Sequence, residues 1–116
     1  MVVGIKLEIR EKDDIKCVYL EGRLDAVSTP ILEGKLAKLL EVSDRLLIDF
    51  SKVDYLSSAG LRLLLSSTKK MKAKEGMLAF SGMGEDVIDI IQMAGFERIL
   101  NIYPSEDKAL KALSKK

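Results

Sequence analysis

Two adjacent hydroxyls, Ser57 and Ser58, followed by Ala59, Gly60 and the run Leu61-Arg62-Leu63-Leu64-Leu65, are the residues of this 116-residue chain best placed to do chemistry. They follow a buried-looking apolar run at 46–50 and a short polar turn, and they open a leucine-rich segment of helical period. A helix N-terminus carries unpaired backbone N–H groups and the positive end of the helix dipole, so it favours an anionic group. A serine at that point is either a cap or a phosphate carrier. With Ser57 at the N-cap, its side chain turns inward to accept from the N–H of Ala59 or Gly60. Ser58, at the first helical position, then points its hydroxyl outward and is the more exposed nucleophile, with Ser57 as the alternative. A helix start one residue earlier would exchange the two roles.

Most other chemistry is excluded by composition. There is no histidine, so Ser-His-Asp and Cys-His arrangements are impossible, and one cysteine cannot build a His/Cys zinc site. Cys17, inside Ile15-Lys16-Cys17-Val18-Tyr19-Leu20, reads as a small strand residue. The carboxylates are scattered over surface-patterned segments and show no acid/base pair. Gly82-Met83-Gly84 is a lone Gly-x-Gly without a following lysine, which reads as a tight turn and only faintly as a phosphate loop. Nineteen basic against eighteen acidic residues leave a formal charge of +1, which argues against direct nucleic-acid binding. The basic run Lys69, Lys70, Lys72 and Lys74 reads as a solvated helix face. No apolar run is long enough to span a bilayer, and Met1-Val2-Val3-Gly4-Ile5-Lys6 lacks the layout of a signal peptide, so a cytoplasmic protein without membrane association is expected.

The length and a hydrophobic content of 47% suit a single domain over residues 1–116. Strict alternation over residues 5–11 predicts an edge strand, Lys12-Asp13-Asp14 a turn, and residues 15–21 its antiparallel hairpin partner. Ser28-Thr29-Pro30 reads as an N-cap and first helical position, ahead of a stripe of Leu32, Leu36, Leu39 and Leu40. A central strand is expected at 46–50, and a second helix places Leu61, Leu64, Leu65 and Thr68 on one face and closes at Glu75-Gly76. A strand at 77–81 and a helix opening on Glu85 and Asp86 follow. Its core face is Val87, Ile90, Ile91 and Ala94, and Gly95 ends it. A short strand at 99–103 and a last helix after Pro104-Ser105 complete the chain. The expected fold is α/β: one mixed, largely parallel sheet opening with a hairpin, strands roughly in sequence order, and about four helices mainly on one face.

Several pieces of this pattern resemble the STAS domain, specifically the small free-standing bacterial anti-sigma factor antagonists. Gly22-Arg23-Leu24-Asp25 is similar to the family's Gly-x-Leu-Asp, and Leu47-Ile48-Asp49-Phe50 with Val53 and Tyr55 to its central strand. Ser57-Ser58-Ala59-Gly60-Leu61 resembles its Asp-Ser-Ser/Thr-Gly-Leu phosphorylation motif, and Gly95-Phe96 its Gly-Leu/Phe after the third helix. The resemblance implies a non-enzymatic partner switch without a cofactor, a monomer or weak dimer. The unphosphorylated form would bind an anti-sigma factor that is also a serine kinase and so free the sigma factor. Phosphorylation at Ser58 would end binding, and a PP2C-type phosphatase would reset it. The implied partner-binding residues are Asp25, Ser57, Ser58, Ala59, Gly60 and Arg62. This chain departs from the motif by carrying Ser57 at the family's aspartate and Ala59 at its second hydroxyl, which leaves Ser57 as a competing acceptor. The residues alone give Asp25 a second reading, as a turn residue before the helix. Two other functions stay open: a STAS scaffold or ligand sensor that is not phosphorylated, and a small nucleotide-binding hydrolase using Gly82-Met83-Gly84.

Overall fold

A computed structural model describes residues 4–114, so the reading made at Met1, Val2 and Val3 falls outside the described residues. Five strands form one sheet in sequence order, β1 (Ile5–Lys12), β2 (Ile15–Leu24), β3 (Arg45–Leu56), β4 (Met77–Ser81) and β5 (Asn101–Tyr103). β1 runs antiparallel to β2 and every other neighbour is parallel. The hairpin closes through Asp13 and Asp14 at φ 52° and 67°, the paired left-handed values of a type I′ turn, whose twist matches that of the strands.

Parallel neighbours are joined through α1 (Thr29–Val42), α2 (Ser58–Ala73) and α3 (Glu85–Met93), and α4 (Glu106–Ser114) ends the described chain. The main core lies between the sheet and the first three helices. Val18, Leu20, Leu46, Ile48, Phe50 and Phe80 supply the sheet side, and Leu32, Leu36, Leu64, Met71, Val87 and Ile91 the helix side. Phe50 and Phe80 meet edge to face, with ring centroids 6.0 Å apart. α4 packs on the opposite face, where Ala109 and Leu113 close over Ile15, Cys17, Leu47 and Ala79. Burial pushes the Cys17 thiol up from its ordinary pKa, in keeping with a packing role.

Three local readings are corrected. β3 does not stop at residue 50 but continues through the expected polar turn to Leu56, with Val53 and Leu56 buried. The extension is possible because β2 follows it, through two register shifts, as far as the pair Leu24 and Leu56. Ser28 does not cap α1. It is helical at φ −83°, ψ −23°, buried, and its side chain makes no cap bond. Lys74 leaves the solvated lysine face: its ammonium donates to the carbonyls of Leu40, Ser43 and Glu41 at 2.7, 3.2 and 3.4 Å, neutralising the carbonyl end of α1.

α4 is tied to the hairpin by the Glu106 carboxylate, which accepts from Lys12 Nζ and the Tyr19 hydroxyl, both at 2.6 Å. Burial and that hydrogen bond push the Tyr19 hydroxyl up to about 12. The two-sided core makes a prediction: Leu113→Ala is expected to lower the unfolding free energy in urea by roughly 2–5 kcal/mol. A loss below roughly 0.5 kcal/mol, the range of an exposed substitution, would mean that α4 is not part of the cooperative core.

Candidate functional site at the N-terminus of the second helix

β2 and β3 end side by side, and the two chain segments that leave them are locked together. The N–H of Ser57 donates to the carbonyl of Leu24 at 2.9 Å. Ser57 is the N-cap of α2, in extended conformation at φ −87°, ψ 170°, and its Oγ accepts from the Gly60 N–H at 3.1 Å. Ser58 begins the helix and is exposed, whereas Ser57 is half-buried. The first turn of α2 holds no acidic residue, so the field of the helix end is not offset locally.

Gly60 is what brings this turn down onto the strands. A Cβ there would lie 2.8 Å from Leu56 Cδ1 and 3.0 Å from both Leu24 Cγ and the Leu24 carbonyl oxygen. No side chain fits that gap without moving backbone. Leu61 and Leu64 then anchor the next turn in the core.

On the neighbouring segment Asp25 organises the start of α1. Its Oδ1 accepts from the N–H of Val27 at 3.0 Å and of Ser28 at 2.9 Å. The Ser28 Oγ reaches back to accept from the Asp25 N–H at 3.0 Å and donates to the Arg23 carbonyl at 2.6 Å. The two residues thus form a reciprocal pair three residues apart, with the carboxylate rather than the hydroxyl covering the N–H groups of the turn that leads into α1. The Thr29 N–H and Oγ1 both donate to the Asp25 carbonyl, at 2.9 and 2.6 Å. The Ser28 N–H holds the Asp25 carboxyl below its ordinary pKa, with a smaller contribution from the Val27 N–H.

A shallow groove of about 360 Å³ separates the first halves of α1 and α2, lined by Ala26, Thr29, Pro30, Glu33, Ala59, Arg62, Leu63 and Ser66. Arg62 stands one turn after Ser58, is exposed, and has no ion-pair partner among the described residues. Across the paired strand ends the Arg23 guanidinium lies 4.4 Å from the centre of the Tyr55 ring, a cation–π contact at the exposed margin of the site.

A family model for the STAS domain matches residues 6–109. The chain belongs to the STAS domain family. Among its relatives, the anti-sigma-B factor antagonist of Bacillus subtilis is 27% identical over 100 residues, covering 86% of this chain and 92% of that one. The crystal structure of an anti-sigma factor antagonist from Mycobacterium paratuberculosis superimposes with a TM-score of 0.89 at 28% identity, covering 96% and 95% of the two chains. The Bacillus cell fate determinant SpoIIAA in its phosphorylated form shares the fold, with a TM-score of 0.71 at 14% identity over 92% and 98%.

Within this STAS fold the sequence-predicted residues fall on two adjoining segments. Asp25 stands at the exit of β2, while Ser57, Ser58, Ala59, Gly60 and Arg62 belong to the cap and first turns of α2. The inward cap of Ser57 on Gly60 is the bond expected from sequence. Gly60 itself is buried, and its role in the structure is close packing. Sequence reasoning read Ser28 as the cap of the first helix and missed its pairing with Asp25, for which the spacing was the available signal, and it missed the Arg23–Tyr55 contact, which only the register of β2 and β3 brings together. The Gly82-Met83-Gly84 turn connects β4 to α3, with Gly82 at φ 72°, Met83 buried and Gly84 at the cap position of α3.

Two predictions test this geometry. In an ordinary helix Gly→Ala stabilises by about 1 kcal/mol, but Gly60→Ala is expected to destabilise in urea, with the sign of the change deciding whether the close approach exists. Asp25, charged more readily in the folded state, stabilises the fold fully above its ordinary pKa, and that contribution is lost as pH falls through the lowered value. Carboxyl-carbon NMR titration should therefore place the Asp25 midpoint below that of an unstructured aspartate, and Ser28→Ala, which keeps the Ser28 N–H, should leave it below. A midpoint at the unstructured value would mean that the Val27 and Ser28 N–H groups do not hold the carboxylate.

Proposed function

We propose that this protein is a cytoplasmic anti-sigma factor antagonist that works by partner switching, with Ser58 as the phosphate acceptor and no catalytic activity of its own. The observation that carries the reading is the unequal placing of the two serines. Ser57 spends its oxygen on the Gly60 N–H, while Ser58 sits exposed at the first helical position. The family and the names of its relatives support the antagonist role.

Unphosphorylated, the protein binds an anti-sigma factor serine kinase through Asp25, Ser57, Ser58, Ala59, Gly60 and Arg62, and so releases the sigma factor. The kinase transfers the γ-phosphoryl group of ATP to the Ser58 oxygen. The hydroxyl proton is lost, ADP leaves, and a PP2C-type phosphatase later hydrolyses the ester. The added group carries roughly −1.5 to −2 charge at neutral pH and stands where a helix N-terminus tolerates an anion, so it leaves the fold intact. Its effect falls on the interface, where a dianion facing the partner or its nucleotide adds repulsion and desolvation. A loss of about 4 kcal/mol there weakens binding by about a thousandfold.

Ser58→Ala is expected to keep the circular dichroism spectrum and the affinity for the kinase, whereas Ser58→Glu keeps the spectrum but weakens binding. Phosphopeptide mapping after reaction with the kinase should place phosphate on Ser58 and find none in Ser58→Ala. Phosphate on Ser57 would reverse the assignment of the two serines. Equal affinity of the Ser58→Glu variant, with phosphate on neither serine, would leave a STAS scaffold that is not phosphorylated.

A further inference from the structure

We propose that the free edge of β1 is a self-association surface, on which a second copy of this chain pairs antiparallel with Leu7 opposite Leu7. β1 is an outer strand of the sheet, and its hydrogen-bonding parity is fixed at both ends. The Arg23 N–H donates to the Gly4 carbonyl at 2.6 Å, and the two-residue turn closes on the pair Lys12 and Ile15. Antiparallel alternation then turns the backbone groups of the even-numbered residues toward β2 and leaves the N–H and C=O of Ile5, Leu7, Ile9 and Glu11 directed outward. These are the groups a further strand would take up.

The side chains select the occupant. On the helix-covered face β1 offers Ile5, Leu7 and Ile9, of which Ile9 is 44% exposed although it is a large apolar residue. On the other face it offers Lys6, Glu8 and Arg10. In a twofold pairing centred on Leu7, the residue numbers of facing positions sum to fourteen. Ile5 then meets Ile9 of the second copy, and Lys6 meets Glu8 in both directions, so the apolar face continues and both charge contacts are opposite in sign. Shifting the centre to Glu8 would place Lys6 against Arg10 instead, a like-charge contact. Glu8 is already oriented by Arg10, whose Nε donates to its Oε2 at 2.6 Å. Lys6 has no ion-pair partner among the described residues. The edge lies two strands away from β3, whose C-terminal end carries Ser57 and Ser58, so the pairing is independent of the phosphorylation reading.

Only five residues of each strand meet, so the dimer is weak and concentration-dependent. Sedimentation velocity on the whole protein up to about 1 mM is expected to show it. Lys6→Glu and Glu8→Lys, each alone, place like charges in both contacts and should weaken the dimer about tenfold. Mixing the two single variants, or combining both changes in one chain, restores opposite charges and should restore association. A wild-type chain that stays monomeric throughout, single variants that dimerise like wild type, or a mixture that fails to associate would each overturn the proposal.

Discussion

The site depends on one close contact, the seating of the first turn of α2 on the ends of β2 and β3 at Gly60. The space between that turn and Leu24 and Leu56 is too small for a Cβ, and the Ser57 N–H to Leu24 carbonyl bond fixes the adjoining backbone. Several features are consequences of this seating. β3 must run on to Leu56 so that it ends beside Leu24, and β2 must absorb two register shifts to stay paired with it. Leu56 and Leu24 must both be buried and apolar, since their side chains form the floor on which the turn rests. Asp25 is then held next to Ser57 without any direct bond between their side chains, because each leaves a strand end that the contact has already placed.

The same seating divides the labour between neighbouring polar residues. A helix start leaves N–H groups unpaired, and each must be met by some acceptor. At α2 the acceptor is Ser57, which consumes its hydroxyl and leaves Ser58 unengaged. In the turn that leads into α1 it is the Asp25 carboxylate, with Ser28 returning the bond to the Asp25 N–H, and the first N–H of α1, that of Thr29, goes to the Asp25 carbonyl. The first turns of α1 and α2 are thus closed from within the chain, and Ser58, Arg62, Glu33 and the outer carboxylate oxygen of Asp25 are among the polar groups that remain outward.

The sheet order, the hairpin and the helix beginning at Ser58 were legible because each rests on a local signal: strict alternation at β1, the Asp13-Asp14 turn, and a hydroxyl set before a leucine period. What was not legible depended on distant partners. Residues 51–56 look polar because Ser51, Lys52 and Asp54 face solvent, yet Val53 and Leu56 are buried once β2 lies alongside. Ser28 before Thr29-Pro30 is an ordinary cap pattern. It loses to Asp25 three residues earlier because the carboxylate reaches two N–H groups, while the strand end at Leu24 fixes where the turn begins. The placement of α4 on the opposite face from the other helices is likewise invisible in its own sequence. Its partners Ile15, Cys17, Leu47 and Ala79 come from three different strands, and only their assembly creates a second apolar face for Ala109 and Leu113.

A switch built on this framework does not require two folds. Moving an equilibrium from 1:99 to 99:1 takes about 5.5 kcal/mol of differential interaction. Little of that can come from the helix end, where an anion is worth about 0.3–1 kcal/mol and acts in the stabilising direction. The rest has to arise between molecules, where a dianion is desolvated against a facing surface. On the proposed reading, this gives the rigidity of the α2 cap a function: a first turn that could swing away would carry the phosphate out of the interface and relieve the repulsion. Gly60 packed on Leu24 and Leu56, with Ser57 bonded on both sides, denies that escape, so the charge added at Ser58 is read by the partner at full strength.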